Sequence, residues 1–494
     1  MQTINLIIPM AGFGKRFTSR FFNNYKTLLE IEKNITILDK IISNFNHKNL
    51  KVIFIINKDI YQNYKEYFRN KKNLIVIDKH DKGPVYTLFK AKYKLKKIIR
   101  KKENIFISYS DINWKWNFKN LIKYLSNQQI TVFTHRGYHP HLDLDCKSDF
   151  CKVTGNNIKF ISKKKPISED YKNDHLAIGC YYFKTFKYLE EFFEKNSLSK
   201  NKEYYLLSVI NYFIKQKIKV SNYNIKKFVH LGLPDQYLDY LKWYNEFKNI
   251  SNKKNNFVFR KSTTIMLMAG KGSRVKTISK KKFLIPIKNK KIYEYIFDNF
   301  NTEKKIIITN KENLSFINKK YKKFIIKNNN SMIETVLASK KILINERNFF
   351  LTSCDCYGEF DFTDLIFQIN KSKADIIFFR FNFSNLQKKL FNSHTQIITK
   401  NDIVKKIEVK SKFNPNYFGH AGFFWIKDGN VFNFLNDFLN DKKKIKRELI
   451  IDDYFKYVLE KKKIKGSSLL LKRYIHIGSM KENQEFNYWQ NYFL

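Results

Sequence analysis

The sequence predicts an α/β protein built as two tandem domains, each with a mostly parallel central sheet covered by helices on both faces. The first observation is a repeat: an apolar strand runs into a glycine loop at 5–17 and again at 264–275. The second is that strand-like runs alternate with amphipathic segments through both halves, which is typical of parallel sheets with helical connections. The third is length, because 494 residues suffice for two domains with full cores.

The strands and helices are assigned in chain order from apolar periodicity. In the first half the candidate strands are Leu6–Met10, Val52–Asn57, Leu74–Ile77, Ile105–Tyr109 and Ile130–Thr134. The candidate helices between them are Ile37–Phe45, Ile60–Phe68, Thr87–Ile99 and Phe118–Leu125. The second half repeats the order with candidate strands Ile265–Met268, Ile306–Thr309, Phe324–Ile326, Phe349–Ser353 and Ile376–Phe381, and with a candidate helix at Met332–Leu343. An order that occurs twice predicts the same sheet twice.

Landmarks in the later part of each half fix the domain boundaries. The matched segments are Gly179–Lys184 with Gly422–Lys427, Glu203–Tyr205 with Glu448–Ile450, and His230–Gly232 with His476–Gly478. The spacing between copies stays near 243–248 residues from Asp111 and Asp355 onward, so the halves are collinear. The stretch 248–261 is polar and rich in Asn and Lys, which is typical of a linker. We therefore predict domains at 1–247 and 263–494, joined by a linker at 248–262.

The formal net charge of +50 resembles that of a nucleic-acid-binding protein. Only 11 of the 94 basic residues are arginine, however, and the lysines are spread along the whole chain. Arginine is the side chain preferred for bidentate contacts to bases and phosphates. We interpret the charge as compositional drift of an A- and T-rich genome, with nucleic acid an unlikely partner. The charge still favours the approach of anionic substrates.

The sequence has no features of a membrane protein or of a disulfide-stabilised protein. It has no apolar run of transmembrane length, and its start leads directly into an apolar strand without a signal-peptide pattern. Its five cysteines, at 146, 151, 180, 354 and 356, are too few and too scattered for a disulfide framework. These features predict a cytoplasmic protein without a membrane partner.

The repeated glycine loop has the residues of a phosphate-binding site. A single Gly-x-Gly is weak evidence, but here it follows a strand, ends in Arg, has a Lys beyond it and occurs twice. The two copies are Gly12, Gly14 and Arg16 followed by Lys26, and Gly270, Gly272 and Arg274 followed by Lys282. Glycines let backbone N–H groups approach phosphate oxygens, and the Arg and Lys can stabilise charge on a leaving pyrophosphate and on the α-phosphate. The loop is neither a P-loop nor a dinucleotide fingerprint, because the Gly-Lys-Ser/Thr ending and the third glycine are missing.

An aspartate ends an apolar strand in each half. Asp111 follows Ser-Tyr-Ser, and Asp355 follows Thr-Ser-Cys. Ligands collect at the carboxyl ends of parallel strands, so these carboxylates are candidate Mg²⁺ ligands. The alternative is an N-cap for the following helix. The matching position in both halves favours the metal role.

Taken in order, these motifs resemble those of the sugar-1-phosphate nucleotidylyltransferase family. The ordered set is Met-Ala-Gly-x-Gly-x-Arg, the following Lys, the strand-ending Asp, Lys164–Ser168, Gly179–Phe183, Glu203–Tyr205 and Gly232–Asp235. The closest similarity is to glucose-1-phosphate thymidylyltransferase-like members of capsule and surface-polysaccharide gene clusters. The resemblance covers 3–247 well and 263–494 more loosely. It implies two tandem Rossmann-like nucleotidyltransferase domains.

The resemblance also implies a reaction and a set of roles. A sugar 1-phosphate oxygen attacks the α-phosphorus of a nucleoside triphosphate with Mg²⁺ as cofactor, pyrophosphate leaves, and the nucleotide-sugar feeds surface polysaccharide synthesis. The implied catalytic residues are Arg16, Lys26, Asp111, Arg274, Lys282 and Asp355, with Asp111 and Asp355 holding the metal. The implied nucleotide-binding residues are Gly12, Gly14, Gly83, Thr87, Gly270 and Gly272. The implied sugar-phosphate-binding residues are Lys164, Gly179, Glu203, Lys410, Gly422 and Glu448. A homo-oligomer is left open.

Departures from the family pattern concern the metal and the sugar end. Where the better-studied members carry a second metal-binding Asp, this chain has His230 and His476. Mg²⁺ prefers oxygen ligands, so either the strand-end aspartates suffice together with the phosphates, or another carboxylate serves, with Asp452 and Asp453 as candidates in the second unit. The plainer interpretation is that each histidine is a packed, hydrogen-bonded residue. Lys163 stands where an acidic residue usually precedes the sugar-phosphate lysine. Tyr25 and Lys281 stand where a Pro is expected before Lys26 and Lys282. The segment Ser479–Lys481 lacks the Pro-Asp that follows the late Gly in the first unit.

Two other functions remain open from the sequence. One is a cytidylyltransferase acting on a small phosphorylated alcohol or amide such as phosphocholine, which shares the loop, the Lys and the Asp. The other is a single active domain joined to a degenerate domain that binds a regulator or drives assembly. A nucleic-acid-binding protein would need clustered Arg and aromatic stacking motifs, which we do not find. The base and the acceptor are not determined by the sequence.

Overall fold

The computed structural model describes residues 3–12, 17, 25–142, 146–196, 198, 203–249, 259–270, 281–287, 290–327, 331–383, 387–388, 394–441 and 447–494. The chain divides into two compact units, Met1–Tyr244 and Asn245–Leu494. The division falls within a helix, Pro234–Asn249. Part of the linker predicted at 248–262, residues 250–258, lies outside the described residues.

The first unit is built around a nine-stranded sheet. Its strands are β1 (Ile4–Met10), β2 (Glu30–Glu32), β3 (Ile35–Thr36), β4 (Leu50–Asn57), β5 (Leu74–Ile77), β6 (Asn104–Ser108), β7 (Ile112–Lys115), β8 (Ile130–His135), β9 (Phe150–Thr154), β10 (Asn157–Ser162), β11 (His175–Phe183), β12 (Val220–Asn224) and β13 (Lys227–His230). Its helices are α1 (Ile37–Ser43), α2 (Lys58–Asn63), α3 (Lys65–Phe68), α4 (Gly83–Ile98), α5 (Phe118–Leu125), α6 (Lys187–Lys195), α7 (Leu206–Lys215) and α8 (Pro234–Asn249). The sheet order is β5-β4-β1-β6-β11-β8-β12-β10-β9, and β2–β3 and β7–β13 form two-stranded ribbons.

The sheet is parallel only in part, which corrects the expectation of a mostly parallel sheet. Strands β5, β4, β1 and β6 are parallel neighbours, as are β8 and β12. Strand β11 runs antiparallel to both β6 and β8, and β9 and β10 are antiparallel as well. A parallel connection needs a crossover of a dozen or more residues, usually helical, whereas β9, β10 and β11 follow one another with only a 3₁₀ turn at Tyr171–Asn173 between the last two.

The second unit repeats this topology. Its strands are β14 (Phe259–Met268), β15 (Pro286–Ile287), β16 (Lys290–Lys291), β17 (Thr302–Thr309), β18 (Lys322–Ile325), β19 (Arg347–Ser353), β20 (Cys356–Glu359), β21 (Ile376–Phe381), β22 (Gln396–Lys400), β23 (Ile403–Glu408), β24 (Phe418–Asp428), β25 (Gly466–Leu470) and β26 (Arg473–His476). Its helices are α9 (Ile292–Asn299), α10 (Met332–Ala338), α11 (Lys340–Leu343), α12 (Phe362–Ser372), α13 (Leu435–Asp441), α14 (Ile451–Lys461) and α15 (Met480–Phe493). The order β18-β17-β14-β19-β24-β21-β25-β23-β22 matches the first sheet strand for strand.

Helices cover both faces of the first sheet, as predicted. On α4, Val85, Leu88 and Leu95 are fully buried and share one core cluster with Ile7 of β1. Their spacing places them on one face of the helix. On the other face, Phe106 of β6 packs against aromatic residues that flank α1 and begin α5.

Two further predictions concern disulfide bonds and membrane-spanning segments. All five cysteines are among the described residues, and none is in a disulfide. In the segments that the structure describes, we find no helix that combines the length and the apolar character needed to cross a bilayer.

We predict that Phe106→Ala destabilises the first unit by about 3–5 kcal/mol, because removing a buried aromatic ring leaves a cavity. Phe106 is 0% exposed. The measurement is hydrogen-exchange mass spectrometry of peptides from β6 at increasing urea. Tyr93→Ala is the control, since Tyr93 is 72% exposed. Equal protection of β6 in the two variants would contradict the predicted core.

Candidate functional site

A cavity of about 320 Å³ lies at the carboxyl ends of β1, β5 and β6 in the first unit. Sequence-predicted residues from five separate segments line it, namely Gly12, Lys26, Gly83, Thr87, Asp111 and Glu203. These residues are up to 191 positions apart in the chain, from Gly12 to Glu203. The fold therefore brings together residues that the sequence connects only through motif order. This cavity is the candidate active site.

The start of the glycine loop is held by an asparagine at the end of the neighbouring strand. Asn57 Nδ2 donates to the carbonyls of Ala11 (3.2 Å) and Gly12 (3.3 Å), while its Oδ1 accepts from Ile60 N–H and caps α2. In the second unit Asn310 Nδ2 donates to the carbonyl of Ala269 in the same way. Sequence reasoning missed this pair, although an Asn ends the second parallel strand in both halves.

Four predicted loop residues lie outside the described residues. They are Gly14, Arg16, Gly272 and Arg274. Their roles remain predictions. Gly12 and Gly270 are described and each lies directly after the first strand of its sheet, with open space where a Cβ would stand.

Lys26 lies on a short 3₁₀ helix, Lys26–Leu28, that is fixed by its neighbours. Its Nζ is 2.6 Å from Asp111 Oδ2. Tyr25 precedes it, and the Tyr25 hydroxyl donates to the carbonyl of Met10 (3.3 Å). Burial raises the pKa of Tyr25, and the Asp111 charge raises it further, so the phenol stays protonated. Tyr25 therefore ties the lysine-bearing turn to the end of β1.

Asp111 is held between two strand ends. Its carbonyl accepts from Leu231 N–H (2.8 Å), and a Cβ at position 232 would lie 3.0 Å from its Oδ2. Gly232 therefore leaves room for the carboxylate. The side chains of Lys26 and Asp111 are 17% and 22% exposed. The ion pair is thus accessible from the cavity and can be rearranged by an incoming anion.

The N-terminal end of α4 forms another part of the cavity wall. Gly83 has a φ of +81°, and a Cβ there would lie 2.6 Å from the carbonyl oxygen of Tyr204. The Tyr204 N–H donates to the carbonyl of Lys82 (3.0 Å), which brings Glu203 to the cavity. Thr87 Oγ1 is 3.0 Å from His80 Nε2. A helix N-terminus favours negative charge, so this wall suits a phosphate group.

The predicted acceptor residues Gly179 and Lys164 differ in their relation to the cavity. Gly179 has a φ of +90°, and a Cβ there would lie 2.7 Å from Cδ2 of Tyr109, a residue of the cavity wall. Tyr109 is fixed by its N–H donating to the Gly179 carbonyl and by its hydroxyl accepting from Leu206 N–H. Lys164 lies on an exposed turn after β10, with its N–H donating to Asp149 Oδ1 (2.9 Å), and is not among the lining residues. Its role in binding the sugar phosphate stays a prediction.

The residues of the first unit fit Mg²⁺ incompletely. Asp111 supplies a hard carboxylate oxygen at the cavity. The second family position is His230, whose pKa is lowered to about 4 by burial and then by His141, with Asp111 acting in the opposite direction. A neutral imidazole is a poor Mg²⁺ ligand. Asp111 could hold the ion only together with phosphate oxygens and water.

The second unit repeats the lysine–aspartate pair. Lys282 Nζ is 3.5 Å from Asp355 Oδ2 and also donates to the carbonyl of Gly478. Burial raises the pKa of Asp355, but the charges of Lys282 and His476 outweigh burial and keep the pKa below its ordinary value. The carboxylate is therefore ionised at neutral pH.

The alternative carboxylates proposed for the second unit are engaged elsewhere. Asp452 Oδ1 is 2.6 Å from His420 Nδ1, and Asp453 forms an ion pair with Arg447. Among the described residues, the potential metal ligands grouped with Asp355 are Cys356 and His476. The expectation that Asp452 or Asp453 serves as a ligand there is therefore not supported. The sequence could not show this for Asp452, because its partner His420 lies 32 residues away in the chain.

The remaining predicted residues of the second unit occupy equivalent places in its fold. Lys410 has a φ of +47°, close to the +55° of Lys164, and Gly422 has a φ of +76°. Glu448 is exposed and lies shortly before α14. Sequence reasoning missed Thr335, which follows the start of α10 as Thr87 follows that of α4. Its Oγ1 donates to the carbonyl of Ser331 (3.2 Å).

Comparisons with known proteins give structural similarity only. No protein-family model matches the sequence, and no curated protein sequence matches it. The chain is similar to a nucleoside-diphosphate-sugar pyrophosphorylase from Vibrio cholerae RC9, with 18% identity, 48% of this chain and 99% of that chain covered, and a TM-score of 0.39. It is similar to the inositol-1-phosphate CTP transferase of T. maritima, with 15% identity, 49% and 96% coverage, and a TM-score of 0.38. A UTP-bound UGPase from Acinetobacter baumannii gives 13% identity, 51% and 99% coverage, and a TM-score of 0.38.

We predict that His230 makes the first unit less stable in mild acid. Its pKa of about 4 in the folded state lies below the ordinary value of about 6.5, so the unfolded chain binds a proton that the folded chain does not. The stability is complete above pH 6.5 and is lost as the pH falls from about 6.5 toward 4. Between pH 7.5 and pH 5 this histidine should lower the free energy of unfolding by on the order of 1–2 kcal/mol.

The measurement is urea unfolding followed by tryptophan fluorescence at both pH values. His230→Gln should lose less stability on acidification than the natural chain. His47→Gln, which removes an imidazole from the loop before β4, is the control. An identical pH dependence in the natural chain and in His230→Gln would refute the assignment.

Proposed function

We propose that the first unit catalyses Mg²⁺-dependent transfer of a nucleotidyl group from a nucleoside triphosphate to a sugar 1-phosphate, releasing pyrophosphate and giving a nucleotide-sugar for surface polysaccharide synthesis. One observation carries the proposal: a single cavity collects the start of the glycine loop, the Lys26–Asp111 pair and the N-terminal end of α4. The ordered motifs of the family lead to the same residues. The polysaccharide role rests on the motif resemblance alone.

Each residue of the cavity can be assigned a role from its position. Gly12 after β1 and the N-terminal end of α4 both line the cavity, and backbone N–H groups at such places favour phosphate oxygens. Lys26 can leave Asp111 to neutralise charge that grows around the α-phosphorus as pyrophosphate departs. Asp111 would hold Mg²⁺ together with the phosphates, and the ion would supply further charge neutralisation there. Glu203 lies where it can accept hydrogen bonds from acceptor hydroxyls.

A smaller acceptor is the second candidate, because a specific residue favours it. Tyr109 fills the space beside Gly179 on the side where the acceptor is expected, whereas the equivalent residue of the second unit is Ser353, beside Gly422. A tyrosine wall leaves less room than a serine wall. The first unit therefore also suits a phosphorylated alcohol or amide, as in a cytidylyltransferase.

We extend the transfer activity to the second unit on narrower grounds. Lys282 and Asp355 keep the contact seen in the first unit, and Thr335 follows the start of α10 as Thr87 follows that of α4. The competing proposal is that this unit is a degenerate domain for regulation or assembly. The side chains of Cys356 and His476 beside Asp355 are relevant to the choice between a catalytic and a degenerate second unit.

We predict that Lys26→Met and Asp111→Asn each lower kcat of the first unit about 10²–10³-fold with a smaller effect on KM. Both side chains act on charge that develops in the transition state. The assay is pyrophosphate release by the full chain with each nucleoside triphosphate, paired with sugar 1-phosphates and with small phosphorylated alcohols. Lys33→Met removes an equal charge from the exposed turn between β2 and β3 and is the control.

The paired variants Lys282→Met and Asp355→Asn separate the two units. If they remove turnover of one acceptor and the first pair removes turnover of another, both units are transferases. If only Lys26→Met and Asp111→Asn lower turnover, the second unit is not an enzyme under those conditions. The proposed function of the first unit would be overturned if no combination of nucleoside triphosphate and acceptor released pyrophosphate, or if kcat were unchanged in Lys26→Met.

A further inference from the structure

We propose that the second unit binds a transition-metal ion of the zinc class through Asp355, Cys356 and His476. Among the described residues of the first unit, no equivalent group of ligands is found. This inference goes beyond the proposed function, and it holds whether or not the second unit transfers a nucleotidyl group. It starts from a mismatch: the donors around Asp355 include a thiol and an imidazole, which do not fit Mg²⁺.

The three donors are brought together by strand pairing. Cys356 of β20 lies directly opposite His476 of β26 in an antiparallel ribbon, and Asp355 immediately precedes Cys356. Side chains of directly paired residues lie on the same face of the ribbon. The potential ligand atoms of all three residues are within 4.8 Å of one another. Donors bound to one tetrahedral zinc ion are about 3.3–3.8 Å apart, given Zn–N and Zn–S bonds of about 2.0 and 2.3 Å.

The imidazole is oriented as metal-binding imidazoles are. His476 Nδ1 is 2.9 Å from Glu482, which leaves Nε2 as the nitrogen for a metal. Glu482 is itself fixed by His394 Nε2 at 3.1 Å and by the Ser479 hydroxyl, which donates to it at 2.7 Å. A carboxylate on the far nitrogen of a histidine is the usual partner of a zinc-bound imidazole, since it fixes the ring and raises its basicity.

The thiol and the carboxylate are oriented toward each other. The Cys356 thiol lies 3.4 Å from Asp355 Oδ1, while Oδ2 of the same carboxylate faces Lys282 at 3.5 Å. The Tyr474 hydroxyl donates to Cys356 Sγ at 3.6 Å, a contact that would stabilise a thiolate. Metal binding requires that the thiol and Nε2 carry no proton, so any protons on them are released to solvent. The fourth position is then left for water or a substrate oxygen.

The first unit shows what this neighbourhood looks like without the extra donors. At the positions equivalent to Cys356, Tyr474 and Glu482 it has Ile112, Phe228 and Gln236. Ile112 lies opposite His230 in the β7–β13 ribbon, just as Cys356 lies opposite His476. Gln236 instead accepts from the N–H groups of Gly232 and Leu233. The second unit therefore has three features that the equivalent positions of the first unit lack: the thiol, the hydroxyl that contacts it, and the carboxylate that contacts the imidazole.

The test is Co²⁺ and Zn²⁺ binding to the full chain after removal of metal with a chelator. We expect one equivalent of Co²⁺ with a near-ultraviolet thiolate-to-cobalt charge-transfer band, displaced by Zn²⁺ and not by excess Mg²⁺. Cys356→Ile, which installs the residue of the first unit, should abolish the band. Glu482→Gln should weaken binding about 10–100-fold. Cys354→Ser is the matched control and should keep the band.

A second readout guards against a variant that fails to fold. In the natural chain, Zn²⁺ should slow alkylation of Cys356 by iodoacetamide, measured by peptide mass mapping, without changing alkylation of Cys354. The proposal is overturned if the natural chain binds no stoichiometric Co²⁺ or Zn²⁺, or if folded Cys356→Ile keeps the charge-transfer band. It is also overturned if Zn²⁺ leaves Cys356 alkylation unchanged. The cluster would then be a hydrogen-bonded network without a metal.

Discussion

The contact between a lysine and the aspartate that ends a central strand is the constraint on which each site depends. In the first unit, Lys26 reaches Asp111 because β1 and β6 are parallel neighbours, so the segments that follow them leave the sheet at the same edge. The pair is partly exposed, and such ion pairs contribute only about 0–1 kcal/mol to stability. Its significance is therefore positional: the pair holds a cation and a carboxylate ready at the place where phosphate charge would arrive.

Much of the scaffold was predictable because its signal is local. The five strands proposed for the first half all appear, since continuous apolar runs are buried whatever they pair with. The direction of β11 was not predictable. Its apolar sequence, His175–Phe183, fits a parallel or an antiparallel neighbour equally well, and the choice depends on the hairpin that precedes it.

The same distinction applies to the site. Gly12, Lys26 and Asp111 were predicted because a local pattern repeats in both halves, and all three line the cavity. Asn57 and Tyr109 were not, although Asn57 holds the start of the loop and Tyr109 forms a wall of the cavity. Their roles arise from contacts with residues far along the chain, and neither residue type at its position signals such a contact. The family resemblance likewise gave Lys164 a role that stays a prediction, since this lysine lies on an exposed turn outside the cavity wall.

The two units show how one backbone can produce two electrostatic environments. In the first, burial lowers the pKa of His230 to about 4, and the opposing charge of Asp111 does not restore it, which leaves a neutral imidazole. In the second, burial acts in the same direction on His476, but Glu482 and Cys356 outweigh it and raise the pKa well above the ordinary value. The amide of Gln236 could not have this effect, because it carries no charge. A carboxylate at this helix position therefore raises the pKa of the imidazole beside the strand-end aspartate in the second unit, while both sheets keep the same strand order.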